Sequence, residues 1–259
     1  MRSPRRFLTS YIAMECLKNR LQSASLLTMI GSTMKYPGGK GKTYQHLINL
    51  MPPHEVYIET HLGGGAVLRH KRPAGRNIGI ERNGQVINRW RRREWPISIE
   101  LIHGRAEEFL ETFPFSGTEL IYCDPPYVCS TRSRARVYAY DYSDTDHQQL
   151  LTLLTKLPCK VMISGYANAL YAQELDGWNT YIFSAMSQKG MREETVWFNF
   201  EPPTELHDAR FVGSTFRHRQ TLKRRLQRIK AKVARMDPIE RYALIQWIHH
   251  TYHLQRDEV

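Results

Sequence analysis

From residue 55 onward, short apolar runs rich in β-branched and aromatic residues alternate with stretches whose apolar positions recur at helical spacing. The runs predict strands at 55–60, 76–81, 97–103, 118–124, 160–164, 178–183 and 195–200. The intervals between them predict helices at 65–71, 84–92, 106–112, 145–157 and 167–175. Seven strands alternating with helices point to an α/β fold, a seven-stranded, mostly parallel, Rossmann-like sheet with helices on both faces. Ligands of such sheets bind beyond the carboxyl ends of the strands, near the switch in strand order. Residues at strand ends are therefore the ones to read for chemistry.

The pattern changes after residue 203. Leu222, Leu226, Ile229 and Val233 make one apolar stripe at spacings of four, three and four, flanked by Lys223, Arg224, Arg225, Arg228, Lys230 and Lys232. This predicts a basic amphipathic helix. Asp237, Pro238 and Glu240 then read as an N-cap, a first-turn proline and a capping partner that open a second helix through Tyr242, Leu244, Trp247 and Ile248. The expectation is a basic helical hairpin packed on the body, with Lys223 and Arg224 on the face turned to a phosphate backbone.

Composition narrows the classes. In 259 residues, 41% hydrophobic content is enough for a sizeable core, and no run approaches the roughly 18 apolar residues of a membrane span. Cys16, Cys123, Cys129 and Cys159 form no CxxC pair, so a disulfide scaffold is excluded and the cytoplasm is the expected compartment. The net charge of +12 is uneven. Residues 1–33 carry five Lys and Arg against one acid, 34–203 carry twenty against eighteen, and 204–259 carry twelve against six. Three segments follow: a disordered basic arm or upstream extension (1–33), a near-neutral catalytic body (34–203) and a basic helical segment (204–259). Basic flanks on a neutral body fit a polyanionic partner.

Four motifs carry candidate chemistry. The segment 35–43 is glycine-rich and basic, but a phosphate-cradling loop needs Gly where Tyr36 stands. Its Tyr36 and Lys40 instead bracket two glycines, a pair suited to a ligand with an aromatic group and a carboxylate. In 56–68 a strand ends in Glu59 and runs through Gly63, Gly64 and Gly65 into a helix start, allowing a sharp turn and close backbone approach to a ligand. The next strand ends in Glu81, where nucleoside-binding sheets place a carboxylate for ribose hydroxyls. The strand 118–124 runs into Asp124-Pro125-Pro126-Tyr127. Two prolines stiffen the exit and donate no backbone bond. Asp124 and the Pro125 carbonyl then suit the two N–H groups of a ring amine, with Tyr127 to stack on the ring. His249, His250 and His253 have no ligand spacing that supports a metal, and none is expected.

Together these residues resemble the Dam-like DNA adenine methyltransferases. Residues 35–40, 59–68, 124–127 and 194–199 match, in order, the family's N-terminal ligand motif, glycine motif, catalytic motif and a late strand. The stretches 143–154, 164–178 and 207–251 are similar to short phage or prophage members, so the resemblance spans 34 to about 252. It implies S-adenosyl-L-methionine as donor and the exocyclic amine of adenine in double-stranded DNA as acceptor, with no metal needed; no membrane partner is expected, and the oligomeric state stays open with a monomer favoured. Tyr36 and Lys40 would meet the donor's methionine part, Gly63 and Gly65 would approach it within the motif opened by Glu59, and Glu81 would take its ribose. Asp124, Pro125, Pro126 and Tyr127 would hold a flipped-out base for in-line attack.

The chain departs from the family in three places. His61 stands at a usually aromatic, apolar site. Arg105 replaces an acid that holds the donor's adenine, with Glu107 nearby to compensate. Only about 15 residues separate Glu108 from Asp124, too few for a recognition insertion. DNA reading is therefore expected from 128–146, through Arg132, Arg134, Arg136, Tyr138 and Tyr140, by phosphate clamping and base stacking. The same amine-holding logic admits cytosine in DNA, or RNA. Decay at Arg105 and His61 would instead leave a non-catalytic DNA-binding relic.

Overall fold

The structure, a computed structural model, describes residues 39–128, 131, 140–187 and 190–252. Tyr36, Arg132, Arg134, Arg136, Tyr138, His253 and the arm 1–33 lie outside them. The chain divides into two units, the first ending at Asp208 and the second comprising Ala209–Val259.

In the first unit the elements run α1 (Tyr44–Ile48), β1 (Val56–Glu59), α2 (Ala66–His70), β2 (Arg76–Glu81), α3 (Gly84–Arg91), β3 (Glu100–His103), α4 (Ala106–Thr112), β4 (Glu119–Cys123), α5 (Asp144–Leu154), β5 (Lys160–Gly165), α6 (Ala169–Glu174), β6 (Asn179–Ser187) and β7 (Gly190–Phe198). The seven strands form one sheet in the order β3-β2-β1-β4-β5-β7-β6. Strands β1 to β5 pair in parallel, while β7 is antiparallel to both β5 and β6. The chain builds outward from β1 to β3 and then returns to β4, so the order reverses between β1 and β4. This is the Rossmann-like α/β sheet expected from the pattern.

The central strands are mostly apolar because both faces are covered. All of β4 is buried. Ile58, Ile78, Ile121, Val161 and Ile163 pack with Leu110 of α4 and with Leu150, Leu151 and Leu154 of α5. Each such side chain contributes about 1.5–3 kcal/mol on leaving water. Helix α5 starts with a capping box, in which Ser143 Oγ accepts from the Asp146 N–H and the Asp146 carboxylate accepts from the Ser143 N–H.

Three features differ from the sequence pattern. The short helix α1 was not expected, and it is fixed by buried Leu47 and Ile48. Strand β3 begins at Glu100, three residues later than the apolar run. The last two strands are longer than 178–183 and 195–200 and make a hairpin paired from Asn179↔Phe198 to Ser187↔Gly190. An interval of eleven residues is too short for a parallel crossover, which takes a dozen or more.

The second unit holds a 3-10 turn (Ala209–Phe211) and two helices, α7 (Phe216–Arg235) and α8 (Pro238–Tyr252). Thr215 caps α7 through the His218 N–H at 3.1 Å, and Asp237 accepts from the Ile239 N–H at 2.9 Å. Both helices were expected, but neither contains a buried residue, and Leu226 and Ile229 of the apolar stripe are exposed. Among the described residues no helix is long and apolar enough to cross a membrane.

Candidate active site

Asp124 follows β4 directly, at the rim where the strand order reverses. Its Oδ1 accepts hydrogen bonds from Lys40 Nζ at 2.8 Å and from Ser164 Oγ at 2.8 Å. Ser164 lies on the neighbouring strand β5 and itself accepts from Tyr122 OH at 2.9 Å. Oδ2 takes no hydrogen bond among the described residues. The carboxylate is thus oriented through one oxygen.

The cation that holds it is almost wholly enclosed, since Lys40 is 4% exposed. Besides Asp124, its ammonium donates to Tyr127 OH, sits 3.3 Å from Glu194 Oε2 of β7 and lies over the Tyr127 ring. Burial alone would lower its pKa, but attraction to Asp124, Tyr127, Tyr122 and Glu194 outweighs that and holds it well above the ordinary lysine value. Lys40 is a fixed positive charge. The resemblance places it at the donor's methionine part, whereas here its ammonium is engaged by the Asp-Pro-Pro-Tyr motif itself. Tyr127 is buried, and burial raises its pKa.

The glycine turn lies one strand over. Gly63 and Gly65 have φ of 46° and 55°, the left-handed region that favours glycine. Their turn is pinned by buried Trp90 of α3, whose indole N–H donates to the Gly63 carbonyl at 2.9 Å. A Cβ on Gly65 would lie 2.3 Å from the Trp90 ring. Glu81 accepts from the Gly63 N–H at 2.8 Å through Oε2 and from the Asn83 N–H at 2.8 Å through Oε1. Burial raises its pKa, and these backbone bonds pull it partly back. Glu59 turns inward, accepting from Tyr57 OH at 3.0 Å and the Leu68 N–H at 2.9 Å. Its task here is to tie α2 to β1, and burial pushes its pKa up to about 8.

From Asp124 to Glu81 runs a cleft open to solvent. Thr60, His61, Glu81, Asn83, Gly104, Arg105, Asp124, Pro126, Tyr140 and Tyr142 are among its lining residues. His61 and Arg105 are linked along its wall through Tyr142 and Glu107. Tyr142 OH donates to Glu107 Oε1 at 2.7 Å and bonds His61 Nε2 at 3.0 Å, and His61 Nδ1 bonds Thr60 Oγ1 at 2.7 Å. Burial lowers the His61 pKa to about 4, so the ring is neutral. With the Tyr142 hydrogen given to Glu107, His61 Nε2 is the donor and Nδ1 accepts from Thr60. Arg105 lies 3.4 Å from Glu107 Oε2 and 3.4 Å from Asp146 Oδ1, and Glu107 raises its pKa. Its charge is directed at these two acids. Arg82 lies over the ring of Tyr140, 4.9 Å from its centre.

Sequence reasoning assigned no role to Ser164, Glu194, Tyr166 or Arg192. The Arg192 guanidinium stacks on Tyr166 at 3.9 Å and donates to the Thr131 carbonyl at 3.0 Å, and Tyr166 meets Tyr127 edge-on at 4.6 Å. Among the described residues no cluster of His, Cys, Asp or Glu is arranged to hold a metal.

No family model and no curated protein matches the chain. Among solved structures it is similar to an rRNA methylase from Streptococcus thermophilus, at 11% identity over 65% of this chain and 98% of that one, with a TM-score of 0.42. It is similar to M. capricolum TrmK in complex with S-adenosyl-homocysteine, at 9% identity over 80% and 94%, with a TM-score of 0.42. It is also similar to the O-methyltransferase TomG from Streptomyces achromogenes in complex with SAM, at 17% identity over 64% and 82%, with a TM-score of 0.41. These likenesses are too distant to bear on substrate or partner.

Proposed function

We propose that the chain transfers a methyl group from S-adenosyl-L-methionine to the exocyclic amine of adenine in double-stranded DNA, acting as a monomer. The observation that carries this reading is the Asp124 carboxylate, fixed through Oδ1 by Lys40 and Ser164 with Oδ2 uncommitted, at the end of a cleft that reaches Glu81. The cleft's chemistry fits the donor: Glu81 can accept ribose hydroxyls while keeping its backbone bonds. Bound there, the donor would supply a methyl group on a sulfonium.

Asp124 Oδ2 and the Pro125 carbonyl then accept the two N–H bonds of the amine, turning its lone pair out of the ring plane and toward the methyl group. The lone pair forms the N–C bond and the C–S electrons leave with sulfur. Asp124 Oδ2, already bonded to that nitrogen, takes the proton it must shed. Tyr127, braced by Lys40, supports the flipped base. The basic helix α7 supplies backbone contact. Replacing both Lys223 and Arg224 with Ala should weaken DNA binding alike on all sequences and reduce the salt dependence by about two charges, read from binding across a salt series.

The deciding experiment is nucleoside analysis and modification sequencing of DNA from cells expressing the protein, beside cells expressing Asp124→Ala. N6-methyladenine only in the first is expected. Methylated cytosine, or methylation confined to RNA, replaces the acceptor, and a protein that binds no donor in calorimetry is not a methyltransferase.

A further inference from the structure

The β6–β7 hairpin outgrows the sheet that carries it. The last pair between β5 and β7 is Gly165↔Thr195, yet β6 and β7 stay paired for five more residues each, from Phe183↔Glu194 to Ser187↔Gly190. At about 3.3 Å per residue this makes a two-stranded arm roughly 16 Å long. Because β7 runs antiparallel to β5, the arm projects past the carboxyl ends of the parallel strands, on the rim where Asp124 sits.

One face of the arm is locked to the catalytic motif. Glu194 meets Lys40, and Arg192 stacks on Tyr166, which abuts Tyr127. The opposite face ends in a cross-strand pair of methionines, Met186 and Met191, each 61% exposed. Two unbranched apolar side chains left in water at the end of a docked arm are well shaped for insertion into an irregular apolar gap. A duplex that releases a base leaves such a gap, and its major groove, about 12 Å wide, admits a two-stranded β-ribbon.

We propose that this arm enters the duplex beside the target and that Met186 and Met191 fill the space the flipped adenine vacates, as apolar wedges do between base steps. The inference rests on the DNA methyltransferase reading and adds to it the surface that opens the helix. It gives an apolar wedge the work of keeping the base out, next to the group that captures the base.

The test compares wild type with the double variant Met186→Ser/Met191→Ser on two duplexes carrying the methylated site, one with adenine paired and one with adenine opposite an abasic position. Both side chains are exposed, so the melting temperature should not move. The expected result is kcat/KM at least tenfold lower on the paired duplex and within threefold of wild type on the unpaired one. A 2-aminopurine at the target should brighten less with the variant, and Met186→Leu/Met191→Leu should retain activity on both. Equal activity on the paired duplex overturns the wedge, as does a loss that the unpaired target does not rescue. A wild-type dimer in sedimentation that the double serine variant dissociates assigns the methionines to self-association instead. Wild type that methylates no adenine in either duplex overturns the underlying reading, a result distinct from the others.

Discussion

Glu59 and Asp124 stand at the carboxyl ends of neighbouring strands, in β1 and just after β4, yet they are treated in opposite ways. Glu59 is buried among neutral donors, Tyr57 OH and the Leu68 N–H, and burial wins, raising its pKa to about 8. Asp124 is given a buried cation and a serine, both on the same oxygen. A carboxylate that ties a turn needs only its hydrogen bonds. One proposed to accept from a substrate needs to be held in place with one oxygen spared, and Lys40 with Ser164 does both.

The hardest break in the comparison is Asp124→Ala. Losing the acceptor of the amine should lower methyl transfer about 10³-fold, while donor affinity, measured by calorimetry, changes by less than about threefold. Activity retained in this variant would sink the assigned mechanism.

Next is Lys40→Met, which removes the cation and leaves Asp124 facing Glu194. Breaking a buried ion pair in this way costs about 3–5 kcal/mol, read from urea denaturation, and methyl transfer should fall with it. Unchanged stability together with full methyl transfer would show that the buried cation is dispensable.

Gly65→Ala tests the other side of the rim. The residue needs a positive φ, and the new Cβ would collide with a Trp90 ring that is fully buried and tethered to Gly63. About 2–3 kcal/mol of stability should be lost. An unchanged melting curve would show that the turn is free to rearrange.

Legibility of the site followed how local each signal is. Asp124, Glu81 and the glycine turn were readable because each ends an apolar run, and a run's end in a parallel sheet is a rim position. Lys40 was noticed, but its partner lies 84 positions away, and nothing in the residues around it shows which acid it meets. Ser164 and Glu194 looked like ordinary strand residues for the same reason. The hairpin was hidden because residues 184–194 do not read as one β-run, and pairing continues there through cross-strand partners with no sheet behind them. In the tail, helical periodicity correctly predicted α7 and α8, but the apolar stripe expected to pack away from water does not do so, and Leu226 and Ile229 stay exposed.

The finest test concerns Glu59 alone. Its folded pKa of about 8 lies above the unfolded carboxylate value of about 4.5, so the folded protein binds a proton that the unfolded chain releases. The stability linked to this proton is fully present below pH 4.5 and is lost as pH rises toward 8. Glu59→Gln keeps the shape and cannot titrate. Its stability relative to wild type should therefore improve as pH rises from 4.5 toward 8 and level off above that. His61, lowered to about 4, titrates the same way in both proteins, whereas Lys71, lowered to about 7, feels the Glu59 charge and shares in the difference near that pH. A difference that stays flat from pH 5 to 8 would mean that Glu59 is ionised in the folded state, and the contrast with Asp124 would then rest on geometry alone.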